Sequence, residues 1–497
     1  MRHNSDLTLE SGFRPVPPEP PHAGFRNAGL RIMVRILGVG AAAPSMRLAA
    51  IDVNGAWGRA GGRGQVAVCA ADEDSLTLAW TAATHALTAA GIDPGAIGGL
   101  WWGTSRPVFG DGPGHAVLAG ALGIAPTAAG TLTSGSTHSG IEALFSAADA
   151  VAARSAALAL VVASDTMRAG PGTTFETRAG AGAAAIVLGN AGGTATLGVR
   201  VSRSRPRLDR YRGEGELDQR DLYDARLFRE EIFLPIVGEV TDALVPLEPA
   251  RWSLPDPDGR LGANIAKRAV TGSVVSTSTY AELGDTGAAA ALLGLVGALD
   301  VAGVSAAVGY GGGRASGFTV NAEAPIPGAA RVASHITDGR SCSYAAALRA
   351  RGQLVPGGET IPMGVPPESA LFARGTDEML QLLGGRCVDC GTISTPPSIH
   401  PHCVACGGAK LEPVQLAREG EVHTYVVNYT MPAPFEAPLP IAVIDLDDGA
   451  RVMLQVAGDG SELAIGRRVR LVLRRYAHER GVPVYGFKAI LAREQSS

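Results

Sequence analysis

A stretch of small and hydroxyl-bearing residues in the first third of the chain constrains the fold more than any other feature. It reads SGSTHSG over residues 134–140 and opens into an apolar helix predicted over 143–153. A strand-like run follows at 157–163. A turn without bulky side chains at the start of a buried helix lets the backbone approach a ligand closely and directs unpaired N–H groups at it. The stretch therefore predicts a ligand site at a helix start.

Helix and strand patterns alternate on either side of this turn, with helices predicted over 75–90 and 115–122 and a strand over 100–103. This spacing predicts a parallel or mixed sheet. The 497 residues are too many for one core, and 46% apolar residues with 66 glycines but 5% aromatic residues indicate a tightly packed α/β protein. A net charge of −4 argues against a nucleic-acid partner. The arginine-rich segment 203–229 is interpreted as a surface insertion.

Neither terminal targeting nor a membrane span is expected. Residues 1–31 are polar and proline-rich without the apolar core of a signal peptide, so we interpret them as a disordered extension. The longest apolar run, 287–303, is about one residue short of the roughly 18 that a span requires, and Asp300 interrupts it. It predicts a long core helix. We expect a cytoplasmic protein that does not contact a membrane.

Four of the six cysteines form a compact cluster, which points to a metal site in a reducing compartment. The cluster consists of two CxxC pairs separated by twelve residues: Cys387, Cys390, Cys403 and Cys406. Such pairs supply four soft ligands for tetrahedral zinc and leave no coordination position open, so the predicted zinc is structural. Disulfide pairing is the less favoured alternative. Cys69 and Cys342 stand apart from the cluster.

Five short strand patterns separated by turn residues follow the cysteine cluster. They cover 420–427, 441–446, 451–456, 468–475 and 484–491. Five such strands predict a small OB-type barrel. Many OB barrels bind single-stranded nucleic acid on stacking aromatic residues, but paired aromatic residues are scarce in these strands, so we do not expect nucleic-acid binding.

The order of motifs resembles the thiolase superfamily. The nucleophile turn of that superfamily reads Cys-x-Ser-Gly-x-x-Ala, and Ser139, Gly140 and Ala143 match its later positions. Four further motifs occur in the family's order, DED at 72–74, ASDT at 163–166, PDGR at 257–260 and a glycine-rich turn at 309–313. Over 33–332 the chain is similar to 3-hydroxy-3-methylglutaryl-CoA synthase of the archaeal type, and more distantly to β-ketoacyl synthase III.

This resemblance implies an α/β thiolase-like fold of two similar halves, with the active site between them, and usually a homodimer. The zinc ribbon and all-β OB barrel resemble the domain that occurs as a partner or fusion of thiolase-like enzymes. The predicted domains are a disordered extension (1–31), a thiolase-like domain (32–332), a connector (333–375), a helix and zinc ribbon (376–412) and an OB-fold domain (413–497).

The residues that carry the chemistry of the resembling family are all changed. The family's cysteine falls on Thr137, its histidine on Pro255, its asparagine on Asp285 and its glutamate on Ser105. A threonine hydroxyl is a far weaker nucleophile than a thiolate and needs an adjacent base. Ordinary HMG-CoA synthesis or thiolysis is therefore not expected.

Polar groups nevertheless remain around the turn, and they define the predicted site. The predicted catalytic residues are Thr137, His138, Asp285 and Tyr310. The predicted substrate-binding residues are Ser105, Ser139, Gly312 and Arg260. For His138 and Tyr310 simple packing is the alternative, and the serines of the turn also fit structural caps.

Two functions fit these observations. The first is an enzyme acting on an acyl thioester, CoA-bound or carrier-bound, by acyl transfer or by C–C bond formation or cleavage in lipid or secondary metabolism. Thiolase-like aldolases that lack the cysteine and pair with an OB zinc-ribbon partner are the precedent. The second is a catalytically inactive acyl-CoA-binding scaffold. With either function, we expect the protein to interact with a partner enzyme or a carrier protein.

Overall fold

The computed structural model describes residues 33–221, 225–269, 275–355, 375, 377–430, 437–479 and 482–492. The predicted extension 1–31 lies outside the described residues, as does most of the second half of the predicted connector. Within the described part, no helix combines the length and the apolar content that crossing a membrane requires.

The strands are numbered in chain order. They are β1 (Arg35–Ala42), β2 (Met46–Ala49), β3 (Gln65–Val68), β4 (Gly99–Gly103), β5 (Ala129–Thr133), β6 (Leu158–Thr166), β7 (Ala181–Gly189), β8 (Ala195–Ser204), β9 (Arg210–Tyr211), β10 (Arg220–Asp221), β11 (Arg251–Ser253), β12 (Val275–Ser276), β13 (Gly303–Gly311), β14 (Arg314–Ala322), β15 (Arg340–Ser341), β16 (Leu383–Cys387), β17 (Ile393–Ser394), β18 (Leu411–Gln415), β19 (Glu419–Asn428), β20 (Leu439–Leu446), β21 (Arg451–Gln455), β22 (Arg468–Glu479) and β23 (Val482–Leu491).

The α-helices are numbered in the same way. They are α1 (Ala50–Ala56), α2 (Ser75–Ala90), α3 (Gly114–Leu122), α4 (Ser139–Ala152), α5 (Ala225–Leu227), α6 (Leu234–Leu244), α7 (Leu261–Ala269), α8 (Tyr280–Leu283), α9 (Ala290–Ala298), α10 (Val332–Thr337) and α11 (Tyr344–Ala350).

Two halves of the same strand order form the ten-stranded sheet. One half runs β5-β4-β6-β7-β1 and the other β12-β11-β13-β14-β8. In both, the two outer strand pairs are parallel and the two inner pairs antiparallel. Strands β1 and β8 join the halves through two antiparallel residue pairs. The prediction of two similar α/β halves is confirmed.

Helices α4 and α9 occupy equivalent places in the two halves and share one buried core with strands of both. Their first turns meet closely, because Gly140 in α4 lies against the carbonyl group of Ala288 just before α9. The predicted helix over 287–303 is wrong in length. A 3₁₀ turn precedes Ala290, the helix stops at Ala298, and β13 already begins at Gly303.

Local sequence explains where helix α2 begins and ends. The side chain of Asp74 accepts hydrogen bonds from the N–H groups of Leu76 and Thr77, and the Thr77 hydroxyl accepts one from the Asp74 N–H, which completes a capping box. Gly91 ends the helix in the left-handed region, at φ 64°. Both ends agree with the prediction.

The C-terminal part contains the two predicted small folds. A three-stranded sheet, β17-β16-β18, accompanies the cysteine cluster, and five antiparallel strands follow in the order β21-β20-β19-β22-β23. An isolated bridge between Val456 and Ala489 brings the end of β21 to β23 and nearly closes the sheet into a barrel. The predicted OB-type barrel is confirmed.

The barrel packs on α2, and the acidic run before that helix forms the polar part of the contact. Asp72 pairs with Lys488 at 3.1 Å, Glu73 with Arg474 at 3.0 Å, and Asp74 accepts a hydrogen bond from Tyr485 at 2.8 Å. In the apolar part, Trp80 and Phe487 meet edge to face at 5.6 Å. The acidic run therefore both caps a helix and docks the barrel, and only the capping was predicted.

Candidate functional site

The turn before α4 is stabilised by its own hydroxyl groups. The Ser139 hydroxyl donates to the Ser136 carbonyl at 2.7 Å, and the His138 N–H donates to the Ser136 hydroxyl at 3.2 Å. Ser139 is buried. Its position is that of a residue that shapes the turn, so its predicted contact with substrate remains a prediction.

Thr137 faces the hairpin turn between β13 and β14. Its hydroxyl donates to the carbonyl oxygen of Tyr310 at 2.8 Å. Gly311 packs directly against this turn, and only glycine fits at its position, because a Cβ on residue 311 would lie 2.7 Å from the backbone nitrogen of His138. Gly312, at φ 58°, makes the adjoining turn over Ser136. The proton of Thr137 thus points at a backbone carbonyl group, which does not activate the hydroxyl as a nucleophile.

His138 is a buried, neutral imidazole at the first position before α4. Its Nδ1 lies 3.2 Å from Glu142 Oε1, and the same oxygen lies 3.1 Å from Arg314 Nη2. Among the described residues no hydrogen-bond partner lies near its buried Nε2. Burial, and then the charge of Arg314, lower the pKa of His138 to about 4. Glu142 was not among the predicted site residues, although its i,i+4 spacing from His138 indicates that the two side chains can meet.

Tyr310 carries its phenol away from the turn. Gly309 and Gly311 on the same strand face α4, so the alternation along the strand sends the Tyr310 side chain to the opposite face, against Phe233. There its hydroxyl donates to Asp209. Burial raises the pKa of Tyr310 well above its usual range and also raises the pKa of Asp209.

Asp285 lies just before the first turn of α9 and is almost fully buried. Its Oδ2 accepts from Arg210 Nη1 at 2.6 Å, and its Oδ1 accepts from the Gly287 N–H at 3.0 Å. The guanidinium of Arg210 also lies 3.9 Å from the ring centroid of Phe175. A buried carboxylate with a cationic partner thus stands where the resemblance implies a neutral amide.

Residues 207–212, which we call the strap, connect these groups. Asp209 accepts a hydrogen bond from Tyr310, and the next residue, Arg210, donates to Asp285. Farther along the strap, Arg212 Nη2 lies 3.5 Å from the Ser105 carbonyl oxygen. The interpretation of 203–229 as a surface insertion is wrong for Asp209, which is only 4% exposed, whereas Arg207, Leu208 and Arg212 of the strap are exposed. The prediction missed the strap because its partners are distant in sequence.

Ser105 follows β4 and reaches a second buried carboxylate. Its hydroxyl donates to Asp165 Oδ2 at 2.6 Å, and the same oxygen accepts the Ala288 N–H at 2.9 Å. Burial raises the pKa of Asp165. Ser105 is therefore tied to the start of α9 and hence to the neighbourhood of Asp285.

Arg260 lies apart from these contacts. Its side chain is exposed, and its N–H donates to the Asp258 side chain at 2.9 Å in the loop before α7. The structure therefore brings together the turn at Thr137 and His138, the glycine-rich hairpin, and the start of α9 with Asp285.

The four cysteines of the ribbon form a separate centre. Their sulfur atoms all lie within 4.8 Å of one another, with 3.6 Å between Cys387 and Cys406 and 3.5 Å between Cys390 and Cys403. Sulfurs around a tetrahedral zinc at about 2.3 Å are roughly 3.8 Å apart, so the cluster has the size for one such ion. The residues present therefore fit a structural zinc.

Two comparisons concern the C-terminal part and a related archaeal protein. Residues 413–474 match the family model described as ChsH2, C-terminal OB-fold domain. The DUF35 domain-containing scaffold protein of Methanocaldococcus jannaschii is 37% identical over 121 residues, which are 23% of this chain and 84% of that relative.

Two further comparisons concern a curated synthase and a solved structure. The hydroxymethylglutaryl-CoA synthase of Thermococcus gammatolerans is 35% identical over 157 residues, 31% of this chain and 45% of that relative. The chain thus spans about half the length of the synthases it matches. The solved structure of MvaS in complex with 3-hydroxy-3-methylglutaryl coenzyme A has a TM-score of 0.56 at 22% identity, covering 67% of this chain and 95% of that one. At this identity the match establishes the fold and not the reaction.

Proposed function

Because the chain belongs to the DUF35 domain-containing proteins and carries an OB-fold domain behind a thiolase-like fold, we propose that it is an enzyme acting on acyl thioesters. One observation carries the proposal. The turn at the helix start is retained, with buried polar groups around it. In the thiolase superfamily a thiolate stands at this turn, whereas here Thr137 donates its proton to the Tyr310 carbonyl. The reaction is therefore one that needs no acyl-enzyme intermediate.

We propose reversible aldol cleavage of a β-hydroxyacyl thioester. A base removes the proton of the β-hydroxyl group, and the Cα–Cβ bond breaks. The hydroxyl-bearing carbon becomes an aldehyde or ketone, and the electron pair of the bond passes to the thioester as an enolate. A proton then adds to the enolate carbon and gives the shorter acyl thioester. The reverse sequence forms the C–C bond.

The geometry supports a role for each group in this reaction. Asp285 is the proposed base, because Arg210 favours its ionised form, which is the form that can accept a proton. Because Nδ1 of the neutral His138 faces the Glu142 carboxylate and carries the ring proton, His138 is proposed to accept a hydrogen bond from the substrate through Nε2. The N–H groups of Thr137 and Gly312 are proposed to bind the enolate oxygen, as helix starts and oxyanion donors do. Tyr310 is proposed to anchor the strap.

The test compares two CoA thioesters of equal length, with and without a β-hydroxyl group, with release of the carbonyl product followed by mass spectrometry. We expect turnover of the hydroxylated compound only. Asp285→Ala should reduce turnover by at least about a hundredfold, the scale of a lost acid–base group. His138→Ala should reduce turnover by at least about a hundredfold as well, because the substrate loses a hydrogen bond that orients it at the turn. Binding of both thioesters without turnover of either would instead favour the scaffold function. Full activity in both variants would place the chemistry elsewhere.

The remaining parts of the proposal concern cofactors and assembly. We propose one structural zinc in the cysteine cluster, a CoA- or carrier-bound substrate, a cytoplasmic location, and a homodimer formed through the strand and helix that flank the turn. Small-residue surface of this kind supports an obligate interface, which usually exceeds about 2,000 Å². The predicted domain boundaries at 32–332, 333–375, 376–412 and 413–497 remain part of this proposal.

A further inference from the structure

One ion pair joins the strap to the start of α9 and fixes the Asp285 carboxylate on both sides. Arg210 Nη1 approaches Oδ2 to 2.6 Å, with side chains only 18% and 8% exposed. The other oxygen, Oδ1, accepts the Gly287 N–H at 3.0 Å. The orientation of the carboxylate is therefore determined by two donors from different parts of the chain.

The guanidinium group of Arg210 is itself held in place. It lies over the ring of Phe175 at 3.9 Å. The backbone of Arg210 pairs with Asp221 in the short ladder of β9 and β10, and the preceding residue, Asp209, is anchored by the buried phenol of Tyr310. A cation held by three contacts loses little further freedom when it binds a carboxylate.

We propose that Arg210 is a positioning residue that keeps Asp285 ionised and correctly oriented to accept the substrate proton. This inference rests on the proposed function, in which Asp285 is the base. A carboxylate in a buried site without a cationic partner favours its protonated form, and a protonated carboxyl group cannot accept a proton. The strap thus supplies a charge that the amide of the resembling family does not require.

Among the described residues, three other ionisable groups lie near Asp285. One is the cation Arg178, whose carbonyl oxygen accepts the Asp285 N–H at 2.7 Å and whose charge lowers the pKa of Tyr280. Asp256 lies in the loop before α7. Burial raises its pKa most, and the negative charges of Asp258 and Asp285 raise it further, so Asp256 lies close to Asp285. Tyr280, in α8, has its pKa raised chiefly by burial and stays neutral at ordinary pH. Asp256 opposes ionisation of Asp285, whereas Arg210 favours it.

The test uses Arg210→Met, which keeps side-chain length without charge, and Arg210→Lys, which keeps the charge. Arg200→Met is the matched control, because Arg200 pairs with Asp149 at 2.5 Å and lies 5.1 Å from the ring of Phe145, away from the site. In Arg210→Met the acid limb of the pH–rate profile should move up by about one to three pH units. Lysine should restore most of the shift, and Arg200→Met should show none.

A second measurement does not depend on turnover. In protein labelled with ¹³C at aspartate side-chain carboxyl groups, the resonance missing from Asp285→Asn is assigned to Asp285. Its titration midpoint should rise in Arg210→Met and not in Arg200→Met. An unchanged midpoint in folded Arg210→Met overturns the inference. If Arg210→Met does not fold, Arg210→Lys decides: its midpoint must stay close to wild type.

The two measurements separate the inference from the proposed function. If no thioester is turned over but the midpoint rises, the proposed function fails while the role of Arg210 in ionising Asp285 stands. If turnover occurs, the midpoint rises and the pH–rate profile does not move, Asp285 is not the base and the positioning role is refuted.

Discussion

Replacing Arg474 by methionine should loosen the barrel from helix α2. Arg474 on β22 pairs with Glu73 at 3.0 Å, and the two side chains are only 10% and 2% exposed. The carboxylate of Glu73 also accepts from the N–H groups of Ser45 and Ala70. These backbone donors cannot turn away when the arginine is removed, so the Glu73 carboxylate stays buried and loses its ion-pair partner on β22.

The expected cost follows from this burial. Removing one partner of a buried ion pair typically destabilises a protein by about 3–5 kcal/mol, because the remaining charge is left uncompensated. The control is Arg468→Met on the same strand. Arg468 pairs with Asp447 at 2.7 Å, but both side chains are more than two-fifths exposed, so water screens the pair and its loss should change the stability little.

Hydrogen–deuterium exchange measured by mass spectrometry on the full chain tests the difference. Peptides from β22 and from the start of α2 should exchange roughly a hundredfold to a few thousandfold faster in Arg474→Met, since each 1.4 kcal/mol corresponds to a factor of ten. The same peptides in Arg468→Met should exchange less than about tenfold faster. Equal exchange in the two variants would refute the reasoning that the buried pair holds the barrel in place.

Four further outcomes are expected. Cys390→Ser should lower bound zinc from one per chain to none and unfold the ribbon, as metal analysis and circular dichroism would report; folded wild-type protein without zinc would contradict this. Gly311→Ala should destabilise the protein by about 1–3 kcal/mol in urea unfolding, because the methyl group would lie 2.7 Å from the His138 nitrogen. Gly55→Ala, which meets open space within α1, should instead be neutral or stabilising. Burial lowers the pKa of His138 from 6.5 to about 4, so the unfolded chain binds a proton more readily than the folded one between these values. The free energy of unfolding should therefore fall by about 3 kcal/mol as the pH falls from 6.5 toward 4. His138→Gln should flatten this dependence of stability on pH. Light scattering at micromolar concentration should give a dimer mass, and a monomer would exclude the proposed interface.

Features with local causes could be predicted from the sequence. Helix α2 begins at a capping box and ends at a left-handed glycine, and both signals lie within the helix itself. The cysteine spacing likewise predicted a cluster whose sulfur atoms do meet. The run at 287–303 was misjudged because a nearly continuous apolar run with little polar punctuation fits a helix, a 3₁₀ turn and a buried strand equally well.

The site was predicted only in part, for a reason of distance along the chain. The turn at Thr137 and the position of Asp285 follow from motif spacing. Arg210 lies 75 residues from Asp285, and Arg474 lies 401 residues from Glu73. A single sequence gives no signal that pairs charges over such separations. The strap and the docking contact therefore became visible only with the fold.

The docking of the barrel on α2 affects how this protein responds to dilution. One side of α2 packs on β1, β6 and β7, and its other side shares a continuous apolar core with the barrel. Because both surfaces belong to one chain, their association is intramolecular and has an effective concentration fixed by the covalent connection. The two parts are thus present in a one-to-one ratio at any protein concentration. Removal of the barrel would expose Trp80 and the carboxylate of Glu73 to water.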